Sequence, residues 1–204
     1  MELIKPFGPE IGYTQLSDEH NSLLLDICEK YENDLSRRMN DKLVGFINCE
    51  FNILDLVRPT LLPVITKMIL KYANNAESLY TMQVNVTDVN CISGWCNIQK
   101  TKEFNPVHNH PLHDIVCVIF PKVEISKTKV YKAIPGCLGF KYGERLNNFG
   151  TPIYHISPKT KDVYIFPADM FHYTTPVWED TDIRISTSFN FIFNDLFRAR
   201  VTRG

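Results

Sequence analysis

The second half of the sequence constrains the fold most, because after about residue 78 it divides into short runs that suit β-strands. Most runs alternate apolar and polar residues, whereas 115–120 is continuously apolar, as in a strand buried within a sandwich. The runs are 80–86, 94–99, 115–120, 136–142, 163–166 and 184–193, and turn formers between them include Asn105-Pro106, Pro135-Gly136, Asn147-Asn148 and Ser157-Pro158. Many short strands with regular turn signals predict an all-β sandwich or jelly roll.

Helical patterns fill the first third of the chain. Ser17 or Asp18 can cap a helix whose apolar positions 24, 27, 28, 31 and 35 follow the spacing of one buried face. A second apolar stripe starts near Thr60 and ends at Asn74-Asn75. We therefore expect helices laid against a β-sandwich.

Length and composition indicate one globular domain. The 204 residues suffice for one core, so we predict a single domain over 1–204, with a mainly helical support at 1–78 and the β core at 79–195. A net charge of −1 gives no reason to expect nucleic acid or an anionic membrane as partner. The first residues do not resemble a signal peptide, and no apolar run approaches the roughly 20 residues of a membrane span. Six scattered cysteines without a CxxC motif favour a reducing, cytoplasmic location.

Three histidines have the spacing of a metal site. His108 and His110 lie two residues apart, so on an extended segment both imidazoles point to the same side. His172 follows the predicted strand 163–166 and a turn, and we expect it on the facing sheet, at the rim of the sandwich. Together they predict a facial set of three ligands that leaves three positions of an octahedral metal open.

The third ligand has alternatives. Such sites usually contain a carboxylate where this chain has His110, and Asp114 has the same strand parity as the histidine pair. His113 has the opposite parity and is less suited to the same metal. We favour His108, His110 and His172 and keep Asp114 as the alternative. His20 and His155 are expected at the surface.

The last predicted strand carries an anion-binding residue. Arg184, Ser186, Ser188 and Asn190 share one face of it, and this polar face should line a cavity. A guanidinium binds a carboxylate bidentately, and the Ser186 hydroxyl can add a donor to the same carboxylate. Asn97, on the strand before the histidine pair, either contacts that carboxylate, orients a metal ligand or is structural.

Four motifs in order resemble one superfamily. They are Trp95-Cys96-Asn97, the segment NPVHNHP at 105–111, Ile165-Phe166-Pro167 with His172, and Arg184-Ile185-Ser186 with Phe189-Asn190. Residues 80–193 resemble the iron(II)/2-oxoglutarate-dependent dioxygenases, especially their small bacterial and viral prolyl-hydroxylase-like members. The segment 113–120 departs from the serine-glycine and aromatic-rich strand that those members often have, which leaves the ligand set and the substrate side open.

The resemblance implies a double-stranded β-helix, a jelly-roll core of the cupin type, with iron(II) at its open end. His108, His110 and His172 would hold the iron, and the distal carboxylate of the cosubstrate 2-oxoglutarate would lie against Arg184 and Ser186. With O2, such an enzyme couples decarboxylation of 2-oxoglutarate to succinate with hydroxylation of a C–H bond, here expected on a protein or peptide side chain.

Two other classes of protein compete with a hydroxylase. One is a non-catalytic cupin-like protein that binds a metal or a small molecule, and the other is an interaction module with surface histidines. The Arg-x-Ser placement after His172 favours the oxygenase, because the ligands of a cupin do not require it.

Overall fold

Two antiparallel sheets pack face to face in this protein, and helices cover the outer face of the larger sheet. The structure is a computed structural model that describes residues 1–6, 8–40, 45–76, 86–126, 134–143 and 152–194. The helices are α1 (Asp18–Tyr31), α2 (Leu54–Val57) and α3 (Leu62–Asn75), with a 3₁₀ turn at Leu35–Arg37. The strands are β1 (Glu2–Ile4), β2 (Ile11–Gln15), β3 (Cys49–Asn52), β4 (Val89–Gln99), β5 (Ile115–Glu124), β6 (Leu138–Lys141), β7 (Ile153–Ile156), β8 (Asp162–Pro167), β9 (Phe171–Thr174) and β10 (Ile183–Phe193).

The large sheet has the strand order β1-β2-β8-β5-β10-β4-β3, and the small sheet has the order β7-β6-β9. Their facing sides bury apolar residues such as Val118, Phe120, Phe140 and Phe166. The predicted mainly-β fold with N-terminal helices and a jelly-roll core is confirmed. No helix within the described ranges is both long and apolar enough to cross a membrane.

Helices α1 and α3 bury the opposite face of the large sheet. The Ser17 hydroxyl caps α1 by accepting a hydrogen bond from the His20 backbone N–H at 3.2 Å. Ile65 and Ile69 of α3 pack in the same cluster as Ile185 and Phe189 of β10. The apolar residues of β10 therefore face the helices, which leaves its polar residues for the space between the sheets.

Three features of the first third differ from the sequence-based expectation. Leu35 does not belong to the buried face of α1, because the chain turns after Tyr31 and leaves Leu35 77% exposed. Strands β1, β2 and β3 were not predicted, and they extend both edges of the large sheet. They are three to five residues long, too short for alternation to distinguish them from loops. The predicted strand 80–86 lies outside the described residues apart from Val86.

Candidate active site

Backbone pairing brings the three histidines together at the start of β9. His108 and His172 exchange two backbone hydrogen bonds of 2.9 and 2.8 Å, so the two residues are direct antiparallel neighbours. The His110 N–H donates to the Ala168 carbonyl at 2.9 Å. The expectation that His172 faces the histidine pair from another sheet is therefore wrong, since the extended segment 108–110 runs alongside β9 itself.

The three imidazoles converge on one point. Their ring centroids are 4.3 to 5.2 Å apart, and all the ligand atoms of the cluster lie within 4.8 Å of one another. The Nε2 atoms of His110 and His172 are 3.2 Å apart. Two nitrogens at right angles on a metal, each with a bond of about 2.1 Å, would be about 3 Å apart. This spacing fits a shared metal ion.

Hydrogen bonds fix which nitrogen of each ring is free. The Nδ1 atoms of His108, His110 and His172 contact the Pro106 carbonyl, Asn190 Oδ1 and the Met170 carbonyl at 2.8, 2.8 and 3.0 Å. These oxygens accept hydrogen bonds, so each Nδ1 carries the proton and each Nε2 keeps its lone pair. The donor set therefore fits a divalent transition metal with outer partners that orient every ring.

Burial keeps the cluster neutral. Removal from water lowers the pKa of His110 to about 4, with His108 adding to the effect, and it lowers the pKa of His172 well below its ordinary value. The pKa of His108 is also lowered by burial. Neutral imidazole is the form that binds metal, so the cluster is ready for an ion near pH 7.

The other candidate ligands lie elsewhere. Asp114 Oδ2 accepts a hydrogen bond from the Phe193 backbone N–H at 2.7 Å and is not part of the cluster. His113 borders the same cavity without joining the three rings. His20 bonds Ser17, and His155 is exposed and bonds the Tyr173 hydroxyl.

Arg184 lies buried in the same cavity as the histidines. Its side chain is 1% exposed, and its guanidinium carbon lies 4.6 Å from the centroid of the Phe120 ring. One terminal nitrogen donates to Gln99 Oε1 at 3.1 Å and to Ser186 Oγ at 3.3 Å, whereas Nε has no partner among the described residues. Burial lowers the pKa of Arg184 to about 10. No carboxylate among the residues that the structure describes pairs with this cation, so it can accept an anion from outside.

The polar face of β10 joins these two parts of the site. Ser186, Ser188 and Asn190 line a cavity of about 260 Å³ that also exposes Arg184 and the three histidines. Asn190 contacts the histidine cluster directly, because its Oδ1 accepts a hydrogen bond from His110 while its Nδ2 donates to Ser93 Oγ at 3.0 Å. One strand therefore carries both Arg184 and a hydrogen-bond partner of the histidine cluster.

Strand β4 forms the neighbouring wall. Asn97 is 3% exposed, lines the cavity and pairs in register with Ser186. Trp95, two residues earlier on the same face, stacks on His110 with ring centroids 5.6 Å apart and an interplanar angle of 16°. Gln99 follows two residues later and bonds Arg184. Because residues two apart on a strand point to the same face, the position of Asn97 could have identified Gln99 as a site residue.

Two further cavity residues have little signal in the sequence. Glu50 lies on the four-residue strand β3, and Asn105 belongs to a turn-forming pair. Glu50 reaches the cavity because β3 pairs with β4, and Asn105 reaches it because its backbone N–H donates to the Oγ1 of Thr174, the last residue of β9. These contacts join residues that are far apart along the chain.

The sequence and fold match known oxygenases. Residues 93–190 match the family described as "Putative 2OG-Fe(II) oxygenase". A comparison with curated proteins finds no match. A prolyl-4-hydroxylase from Pseudomonas putida is 10% identical with a TM-score of 0.59, over 90% of this chain and 92% of that chain.

Two other solved structures share the fold. A Trichoplax adhaerens prolyl hydroxylase, in complex with a hypoxia inducible factor oxygen degradation domain peptide fragment, is 10% identical with a TM-score of 0.63, over 93% and 86% of the two chains. HygX from Streptomyces hygroscopicus, with nickel, 2-oxoglutarate and hygromycin B bound, is 10% identical with a TM-score of 0.62, over 93% of this chain and 84% of that chain. Over residues 93–190 the chain is therefore similar in sequence to the iron(II)/2-oxoglutarate-dependent oxygenases, and its fold is the one that solved oxygenases have.

Proposed function

We propose that this protein is an iron(II)/2-oxoglutarate-dependent oxygenase that hydroxylates a side chain of a protein or peptide, with iron(II) on His108, His110 and His172 and with 2-oxoglutarate on Arg184. The observation that carries the proposal is that three neutral imidazoles and one unpaired guanidinium share a single buried cavity. The fold that it shares with two prolyl hydroxylases, one of them in complex with a peptide fragment, supports a peptide substrate.

The histidines would act as a rigid metal cradle. Iron(II) bound there would supply the activation of O2 and the oxidation of the C–H bond. The chain's own residues keep the rings in place: carbonyl oxygens hold His108 and His172, and Asn190 with the Trp95 ring holds His110. Fixed rings reduce the reorganisation that metal binding requires.

Arg184 would anchor the distal carboxylate of 2-oxoglutarate. A guanidinium offers two parallel N–H donors to a carboxylate, and burial strengthens this pairing because water does not compete. The bonds to Gln99 and Ser186 hold the guanidinium in one orientation, and the Phe120 ring covers it. Asn97, which is opposite Ser186 in the sheet, would contact the same cosubstrate or orient a ligand.

The free thiols support a cytoplasmic location. All six cysteines are free, and burial raises the pKa of Cys91 to about 12 and that of Cys117 still further, which keeps these thiols protonated and unreactive. Free thiols and ferrous iron both persist in a reducing environment. We place the protein in the cytoplasm on this ground.

Succinate formation from 2-oxoglutarate tests the proposal. The purified chain is incubated in air with and without ferrous iron, alongside the variants His172→Ala and Arg184→Ala. His155→Ala serves as the matched control, because it removes an exposed histidine outside the cluster. We expect iron-dependent succinate from the wild type and the control and from neither site variant.

The two site variants also separate the roles. His172→Ala should lose iron, whereas Arg184→Ala should retain iron and bind 2-oxoglutarate weakly. Full succinate formation by His172→Ala, or unchanged 2-oxoglutarate affinity in Arg184→Ala, would contradict the assignment. A search for +16 Da products on peptides then identifies the substrate.

A further inference from the structure

The cavity has a second polar side, formed by side-chain oxygens without hydrogen-bond partners. Glu50 Oε2, Asn97 Oδ1 and Asn105 Oδ1 are buried, and no donor within the described ranges reaches them. The Glu50 and Asn97 side chains are 1% and 3% exposed. Burial of a carboxylate without a partner is unfavourable, and an ionised carboxylate can only accept hydrogen bonds. The described residues therefore leave these acceptors without a donor, and a ligand in the cavity can supply one.

The carboxylate of Glu50 lies on the side of the cavity away from Arg184. In the sheet, Glu50 pairs with Asn97, and Asn97 pairs with Ser186, so the three residues form a row across β3, β4 and β10. Directly opposite side chains on one face of a sheet are about 5 Å apart. Glu50 is thus one strand further from Arg184 than Asn97 is, and the cavity has donors at its β10 side and acceptors at its β3 side.

Gly45 keeps the space beside the acceptors open. A Cβ atom on this residue would lie 2.0 Å from Asn105 Oδ1 and 2.8 Å from Glu50 Oε1. Both oxygens therefore border the small volume next to the Gly45 backbone, which any larger residue would fill. Because this volume opens on the cavity, it can receive part of a ligand.

A neighbouring glutamate shows how this chain satisfies a buried carboxylate when it does so internally. Glu103 accepts from the Asn48 backbone N–H at 3.0 Å, from Asn48 Nδ2 at 2.6 Å and from the Lys100 backbone N–H at 2.8 Å. Glu50 has none of these bonds. Burial, with the charge of Glu103 adding to it, raises the pKa of Glu50 to about 7.

We propose that Glu50, Asn97 and Asn105 form a subsite for a cationic nitrogen group of the substrate, an ammonium or a guanidinium. The inference rests on the proposed function, because the group belongs to the molecule that the enzyme hydroxylates. A cation supplies several N–H donors to converging acceptors and neutralises the carboxylate, whereas a neutral hydroxyl does only the first. With Arg184 at the opposite side, the cavity selects an anionic cosubstrate and a cationic substrate group.

The test compares small probes that differ in charge. n-Butylammonium and n-butylguanidinium are titrated against the full chain, loaded with iron(II) and 2-oxoglutarate under nitrogen, with n-pentanol as the neutral probe. The titration is repeated on Glu50→Gln, which keeps the size of the side chain and removes its charge. Glu124→Gln is the matched control, because it removes a carboxylate that is 64% exposed and does not line the cavity.

We expect the cations to bind the wild type and Glu124→Gln at least about tenfold more tightly than n-pentanol, as one charge-assisted hydrogen bond would give. In Glu50→Gln this preference should disappear. Equal binding of cations and n-pentanol to the wild type would overturn the subsite, as would an unchanged preference in Glu50→Gln. Succinate formation on the same preparations reports on the proposed function separately: succinate without cation preference overturns the subsite alone.

Discussion

Replacement of Arg184 by methionine should separate stability from cosubstrate binding. The guanidinium is 1% exposed, and burial lowers its pKa from 12.5 to about 10, which corresponds to a cost of roughly 3 kcal/mol for its charged form. Methionine removes this cost and leaves Gln99 Oε1 without its donor, a loss of about 1–2 kcal/mol. The variant without cosubstrate should therefore be as stable as the wild type or up to about 2 kcal/mol more stable.

Cosubstrate binding should change in the opposite direction. Two charge-assisted hydrogen bonds to a carboxylate contribute about 1.5–3 kcal/mol each, so their loss should weaken 2-oxoglutarate binding by about 10² to 10⁴-fold. At a concentration of about 100 times its Kd, 2-oxoglutarate stabilises the wild type by about 2.7 kcal/mol, and the same concentration should leave Arg184→Met almost unchanged. Arg184→Lys, which keeps the charge without the planar fork, should lie between them.

Thermal unfolding with and without 2-oxoglutarate, in the presence of ferrous iron under nitrogen, measures both effects. An equal rise in Tm for the wild type and Arg184→Met would refute the assignment of the anion site. Iron content measured on the same samples controls for damage to the histidine cluster.

Three further variants test other parts of the structure. Asn190→Ala, which frees the Nδ1–H of His110, should weaken iron binding about 10–100-fold in a metal titration, and unchanged affinity would remove Asn190 from the metal site. Gly94→Val should lower the free energy of unfolding by about 1–3 kcal/mol in a denaturant titration, because a Cβ there lies 2.6 Å from the buried Phe189 ring; wild-type stability would show that the ring can move. Between pH 5 and 8 the free energy of unfolding of the wild type should fall by about 2 kcal/mol more than that of Glu50→Gln, because the Glu50 pKa is about 7 in the folded state and 4.5 in the unfolded chain. Stability curves that stay parallel over this pH range would contradict this.

The sign of the Glu50 effect follows from proton binding. Between pH 4.5 and about 7 the folded protein holds a proton on Glu50 that the unfolded chain has released, so stability falls as pH rises. Other charged and titratable groups near the cavity, Glu103 and the three histidines, are present in both proteins. The difference between the two stability curves therefore isolates Glu50.

Local patterns were sufficient for the long elements of the fold. The apolar run 115–120 and the alternating run 184–193 became β5 and β10, and the spacing of α1 predicted its buried face as far as Tyr31. Strand parity also put Arg184 and Asn190 on one face, because that face depends only on the extended backbone.

The features that the sequence did not predict depend on hydrogen bonds between segments that are far apart along the chain. The segment 108–110 runs beside β9 rather than facing it, since two backbone hydrogen bonds join His108 to His172. Glu50 reaches the cavity only through the pairing of β3 with β4. Asp114 had the parity of a ligand, yet its carboxylate turns to the Phe193 backbone N–H once the chain bends after Pro111. The alternation of side chains along a strand predicts which residues share a face of that strand, but it does not predict which other segments lie beside it.

The most direct test of the account is the iron content of the protein under nitrogen, measured for the wild type and for single alanine variants of His108, His110, His172 and Asp114. The account predicts one ferrous ion per wild-type chain, loss of that ion in each histidine variant, and retention in Asp114→Ala. Retention of iron by any of the histidine variants, or its loss from Asp114→Ala with the fold intact, would contradict the three-histidine site.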